Sequence, residues 1–188
     1  ATLWHPHHEE WGLWGCDEEE NAEVAAGWGD YMQWSDVSQR HLAAGYRFGL
    51  TGASDNHRIC PGMGGAVTGL YVRSRTREHV VEALKARRCF ATTGCRLLLD
   101  FRVNDRLQGE VVSVSGAPRL RLSVRSATSI EQVRVLRDEE PIASFTIGSG
   151  EIDWHHNDEN AASGEHVYRA EVRLRREIKE FPHNIAQA

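Results

Sequence analysis

No apolar run in this chain approaches the ~18 residues that a membrane-crossing helix needs, so no segment of it is expected to span a bilayer. The first residues lack the basic and apolar regions of a secretory leader, which leaves the compartment open. Cysteine is sparse: Cys16, Cys60, Cys89 and Cys95 are the four, and they have no zinc-knuckle spacing. Reduced thiols are the expectation, with a Cys89–Cys95 bridge across a turn as an open alternative. No Gly-x-Ser-x-Gly elbow occurs, and no cysteine has an evident activating histidine nearby, so serine and cysteine nucleophiles lack support. The glycine-rich stretch 62–65 lacks the lysine and hydroxyl of a phosphate-binding P-loop. Positive charge is in deficit as well. A formal net charge of -5 weighs against a nucleic-acid-binding surface.

What is present is sufficient for a core. Apolar residues make up 40% of the 188 and charged residues 26%, a balance usual for one large domain or two small ones. The chain opens at Ala1 in what reads as the middle of a strand, and an upstream portion is expected to precede it. Residues 1 to about 35 are rich in tryptophan, histidine and acid, with little clean periodicity. Trp11, Trp14, Trp28 and Trp34 either pack a loop-rich layer or wall a ligand cleft.

Asp36 with Gln39 forms a capping-box pair for a short helix that Gly45 would stop. A strand over 46–53 follows, then a turn carrying Asp55 and His57, a glycine-rich loop over 61–65 and a strand over 69–73. Thr76 caps a helix expected to run from Arg77 to about Arg88, with Val80, Val81 and Leu84 on one face. Strand, polar turn, strand and helix make an α/β alternation.

After Thr92-Thr93-Gly94 the period changes to two. Leu97, Leu99, Phe101 and Val103 alternate with Leu98, Asp100 and Arg102; Leu120, Leu122 and Val124 alternate with arginines and Ser123. Tyr168, Ala170, Val172 and Leu174 alternate with Arg169, Glu171, Arg173 and Arg175. One charged face and one apolar face predict half-buried antiparallel strands. Broken by Asn104-Asp105, Gly116-Ala117-Pro118 and Gly148-Ser149-Gly150, they predict an antiparallel β-sandwich. The fold class expected is therefore α/β plus all-β, with a first domain over 1–95 and a second over 96–188.

The chemistry-bearing residues gather in the first part. Asp55 and His57 stand two apart, a spacing that turns both side chains to one face of an extended segment. Trp4-His5-Pro6-His7-His8 adds a second imidazole cluster after a short apolar start. Carboxylate and imidazole donors together suit divalent zinc, manganese or iron. His5, His7, His8, Asp55 and His57 are the candidate ligands, each of which is otherwise an ordinary polar surface residue. Arg58 is a candidate to neutralise a phosphate or else a surface arginine, and Glu9 or Glu10 is a candidate base or a carboxylate that orients the ligands. His155 and His156, near Asp153 and Asp158, read as a solvated loop tip.

The run from Gly45 to Gly62, with Arg47-Phe48-Gly49, Ser54-Asp55-Asn56-His57 and Pro61-Gly62, resembles the last metal motif of the polymerase-and-histidinol-phosphatase (PHP) superfamily. The resemblance continues co-linearly through Gly69-Leu70-Tyr71-Val72, Thr76-Arg77-Glu78, the segment 83–94 and Leu99-Asp100-Phe101-Arg102-Val103-Asn104. It covers residues 45 to 105 well and is nearest to a branch carrying an added β-domain. It implies a distorted (β/α)7 barrel, of which this chain would hold the final part, with two or three divalent metals at its strand ends hydrolysing phosphoesters. On it Asp55 and His57 are the final ligands, and His7 ends an earlier strand, with His5 as the competing match. Two departures stand. The opening His-x-Asp-x-His motif is absent, and no glutamate-bearing strand is legible between His8 and Asp55. The expected partner is a small phosphoester. A non-enzymatic β-sandwich interaction module and an amidohydrolase-like metal hydrolase remain as alternatives.

Overall fold

A computed structural model describes residues 19–25, 44–54 and 65–175. The chain divides into two compact units, the first taking residues 1–95 and the second starting at Arg96.

In the first unit, β1 (Asn21–Ala25) and β2 (Gly49–Gly52) form a two-stranded parallel sheet, with Asn21 opposite Gly49 and Glu23 opposite Thr51. All five β1 residues are buried, the mark of a strand covered on both faces. Such a strand carries no period of two, and Asn-Ala-Glu-Val-Ala has little intrinsic strand preference. Here the expectation of no glutamate-bearing strand between His8 and Asp55 is corrected, because β1 carries the buried Glu23.

β3 (Val67–Leu70) pairs antiparallel with β4 (Cys89–Thr92), and α1 (Arg77–Lys85) connects them. β3 starts two residues earlier than the pattern indicated, since its register is set by Val67 opposite Thr92. The Thr76 hydroxyl accepts the His79 N–H, which satisfies one of the free donors at the helix start. α1 ends at Lys85, before the expected Arg88. Arg87 has turned to φ 55, a left-handed geometry that no helix continues through. Gly45, expected to stop a preceding helix, has φ 86 as such a residue requires, while 36–43 lie outside the described residues. Among the described residues the parallel pairing is confined to β1 and β2, so no closed β/α barrel is laid out there.

The second unit is antiparallel throughout its described residues. One sheet has the order β10–β7–β5–β6, built from Glu151–Asn157, Arg119–Ser126, Leu97–Val103 and Arg106–Leu107. The other has the order β11–β8–β9, built from Tyr168–Leu174, Ile130–Arg137 and Glu140–Thr146. Phe101, Leu120, Leu122 and Val124 of the first sheet share a core with Ile130, Val133 and Val135 of the second. Two sheets facing one apolar layer make a sandwich. Each fully buried aliphatic side chain there contributes about 1.5–3 kcal/mol.

The hairpins are tight. Asn104 and Asp105 between β5 and β6, and Asp138 and Glu139 between β8 and β9, all have positive φ. That is the two-residue turn whose twist matches the flanking strands. β8 escaped a strict alternation rule because its register with β9 slips between Val135 and Leu136, burying both.

Candidate functional site

His5, His7, His8, Asp55, His57 and Arg58 lie outside the described residues, and so does their mutual placement. The described residues include the strand pair directly ahead of Asp55. Because β1 and β2 are parallel, their carboxyl ends emerge at the same edge. The ladder continues one step past β2, where the Ala53 N–H donates to the Ala25 carbonyl at 3.0 Å. Asp55 follows Ala53 by two residues in sequence.

Near that edge, Glu23 and Thr51 are opposite one another in register and therefore stand on the same face of the pair. Both are buried, and the Thr51 hydroxyl has no hydrogen-bond partner among the described residues. A buried hydroxyl without a partner costs about 1–3 kcal/mol. The strand end itself is held by Thr68, whose hydroxyl donates to the Gly52 carbonyl at 2.7 Å and accepts the Gly52 N–H at 3.0 Å. A Cβ at position 52 would lie 3.0 Å from the Val67 carbonyl oxygen, so glycine is what lets β2 run this close to β3.

The opposite end of the pair is tied to the α1–β4 turn. The Asn21 amide donates to the Leu84 carbonyl at 3.0 Å, and its oxygen lies 3.3 Å from the Cys89 Sγ. Arg87 pairs with Glu20, and the Gly49 N–H donates to the Glu20 carbonyl. Burial pushes the Cys89 thiol up to about 12, against a smaller opposing effect of Arg87. It is therefore an uncharged packing group at neutral pH and no nucleophile. Cys89 and Cys95 are both free thiols, which removes the bridge left open between them.

In the second unit, His155 and His156 belong to β10 and face Arg121 and Leu120 across the ladder, so the loop tip expected for them is corrected to an edge strand. Its polar outward residues are how an edge avoids pairing with other chains. The ring of His156 stacks on Trp154 at 5.4 Å.

Asp158, just beyond, is the fully buried acid of the sandwich. Arg137 donates to both its oxygens at 2.8 and 2.7 Å, and the Tyr168 hydroxyl donates at 2.9 Å. Burial alone raises its carboxyl, but the hydrogen bonds from Tyr168 and Arg137 outweigh it and hold the group below the usual range. Burial, followed by the bond to Asp158, pushes Tyr168 up to about 12. A fully partnered acid is a structural anchor, and nothing local in the sequence marks Asp158 as one. Among the described residues no three histidine, cysteine or acidic side chains gather as a metal would need, and no helix is long and apolar enough to cross a membrane.

No family model matches this chain, and no solved structure matches it. It is similar to an uncharacterized protein of Chlamydia pneumoniae, at 31% identity over 49% of this chain and 16% of that protein. It is also similar to uncharacterized proteins of Chlamydia trachomatis and Chlamydia muridarum. The first is 23% identical over 82% of this chain and 28% of its own length; the second is 22% identical over 80% and 27%. The chain thus covers well under a third of the length of these relatives.

Proposed function

We propose that this chain forms part of a metal-dependent phosphoesterase of PHP type, with the site at the carboxyl edge of the β1–β2 pair. The observation that carries the reading is the parallel pairing immediately ahead of Ser54-Asp55-Asn56-His57. In parallel α/β sheets ligands bind outside the carboxyl ends of the strands, where a rigid ladder meets adaptable loops. Asp55 and His57, joined by His5, His7 and His8, are the donor set for zinc, manganese or iron. The orphaned Thr51 hydroxyl and the buried Glu23 fit a polar site at this edge. When bound, a divalent metal lowers the pKa of a water ligand to roughly 7 and so supplies hydroxide at neutral pH. The protein's own part is to fix the ligands on strand ends and to offer Arg58 against the charge developing on the phosphoryl oxygens. On this reading residues 1–95 are the closing segment of a barrel.

The test uses this chain together with any sequence upstream of Ala1 in its reading frame, loaded with manganese or zinc. It should release phosphate from a generic phosphoester, and Asp55→Ala should abolish that release. Unaltered turnover in the variant overturns the assignment.

A second reading, a sandwich that serves as an interaction module with structural histidines, is favoured by the completeness of the second unit's core and by its fully partnered Asp158. Elemental analysis separates the two, since a module of this kind holds no metal. An amidohydrolase-like activity on C–N or C–O bonds would use the same ligand types, and a substrate panel distinguishes it.

A further inference from the structure

The connection between β10 and β11 crosses the end of the second unit as a strap, and its two ends are anchored by different chemistry. At one end Asp158 is held by Arg137 and Tyr168, and its backbone N–H donates to the Pro118 carbonyl at 2.9 Å. At the other end His166 Nδ1 lies 2.5 Å from an Asp138 carboxylate oxygen, and Nε2 lies 2.9 Å from the Ala162 carbonyl. Asp138 also accepts the Val167 N–H at 2.8 Å, while its own N–H donates to the Val167 carbonyl at 2.9 Å.

The imidazole therefore faces an acceptor at each nitrogen. A carbonyl never donates and an ionised carboxylate only accepts. A neutral ring carries one N–H and leaves one of these contacts as two opposed lone pairs. The cation carries two and satisfies both. We propose that His166 is a proton-operated clasp, holding both Asp138 of the β8–β9 turn and Ala162 of the strap 159–165 in its imidazolium form and losing one of the two contacts when the ring becomes neutral, which loosens the strap.

The neighbours agree in direction. The hydrogen bond to Asp138, followed by that to Ala162, raises the His166 pKa above its ordinary value; Arg137 is the opposing cation. The remaining acids on the strap are Glu159 and Glu165 beside His166, and Glu139 follows Asp138 in the turn, where it is engaged by Arg169. Asp158 is already neutralised at the far end. A raised histidine stabilises the clasped form fully below the unfolded value near 6.5, and that contribution is lost as pH rises through the folded one. The Asp158 anchor does not change over this range, since its carboxyl titrates below the usual carboxylate range and Tyr168 above it. One end loosens while the other holds.

The experiment is NMR on the full chain, following the His166 ring and the amide protection of Asp138 and Val167 from pH 5 to 9. The His166 ring should titrate above the ordinary histidine range, and protection at both amides should fall several-fold along the same curve. His166→Gln should remove the pH dependence of protection. Asp138→Asn keeps an acceptor for Val167 and a residue that tolerates positive φ, so it should fold, and it should move the His166 titration to lower pH. Protection that stays level through the His166 titration, or an unmoved titration in Asp138→Asn, overturns the proposal.

Discussion

The two units hold together by opposite means. In the second, strands of both sheets turn their apolar residues into one shared layer, so stability is spread over many contacts. In the first, strands of four or five residues are fixed by a few specific approaches: Asn21 to Leu84 and Cys89, Thr68 to Gly52, Gly49 against Asn21. A distributed core tolerates change in proportion to the volume removed. A unit built on close approaches fails at single atoms.

Three perturbations break or sharpen this contrast. The largest effect should come from the sandwich. Leu122→Ala leaves a cavity among Phe101, Val124 and Ile130 and should cost about 2–5 kcal/mol in denaturant unfolding. Adding a single methyl to the first unit comes next. A Cβ at Gly49 would lie 2.5 Å from Asn21 Oδ1 and 2.6 Å from Cys89 Sγ. Gly49→Ala should therefore cost about 1–3 kcal/mol by overpacking, although the residue lies in an ordinary strand conformation. A loss as small as at a surface site would show that the first unit yields as readily as the second.

The mildest perturbation only reports on packing. Cys89, raised to about 12, should resist alkylation at pH 8 while the exposed Cys95 reacts, as mass spectrometry of the two peptides will show. Because the folded value lies above the unfolded one, the stabilisation linked to this thiol is complete below about pH 8.5. It is lost as pH climbs towards 12. Equal labelling of both thiols at pH 8 would mean that the β1–α1–β4 junction opens freely.

Legibility followed the same division. The alternation at Leu97–Val103, Arg119–Arg125 and Tyr168–Leu174 was readable because half-buried antiparallel strands carry their burial as a period. β10 was not, since its inward set is only Ile152 and Trp154 between polar residues that protect an edge. β1 was not either. Its five residues are buried on both faces, and its glutamate and asparagine find their places only through β2, α1 and Cys89. Of the candidate site, residue types and spacings at His5, His7, His8, Asp55, His57 and Arg58 were readable. The edge that precedes Asp55 was not.

Read alone, the order of amino acids marked which strands of the second unit are half buried, where α1 begins, and which residues to weigh as candidate ligands. Those are local properties: side-chain period, a capping hydroxyl, ligand chemistry. Only the tertiary structure decided that β1 and β2 run parallel with Glu23 beside Thr51, that Asp158 is an interior anchor, and that His166 meets two acceptors. Each of these joins residues that are distant along the chain or separated by a turn, and no periodicity encodes what a side chain meets once the chain has returned on itself.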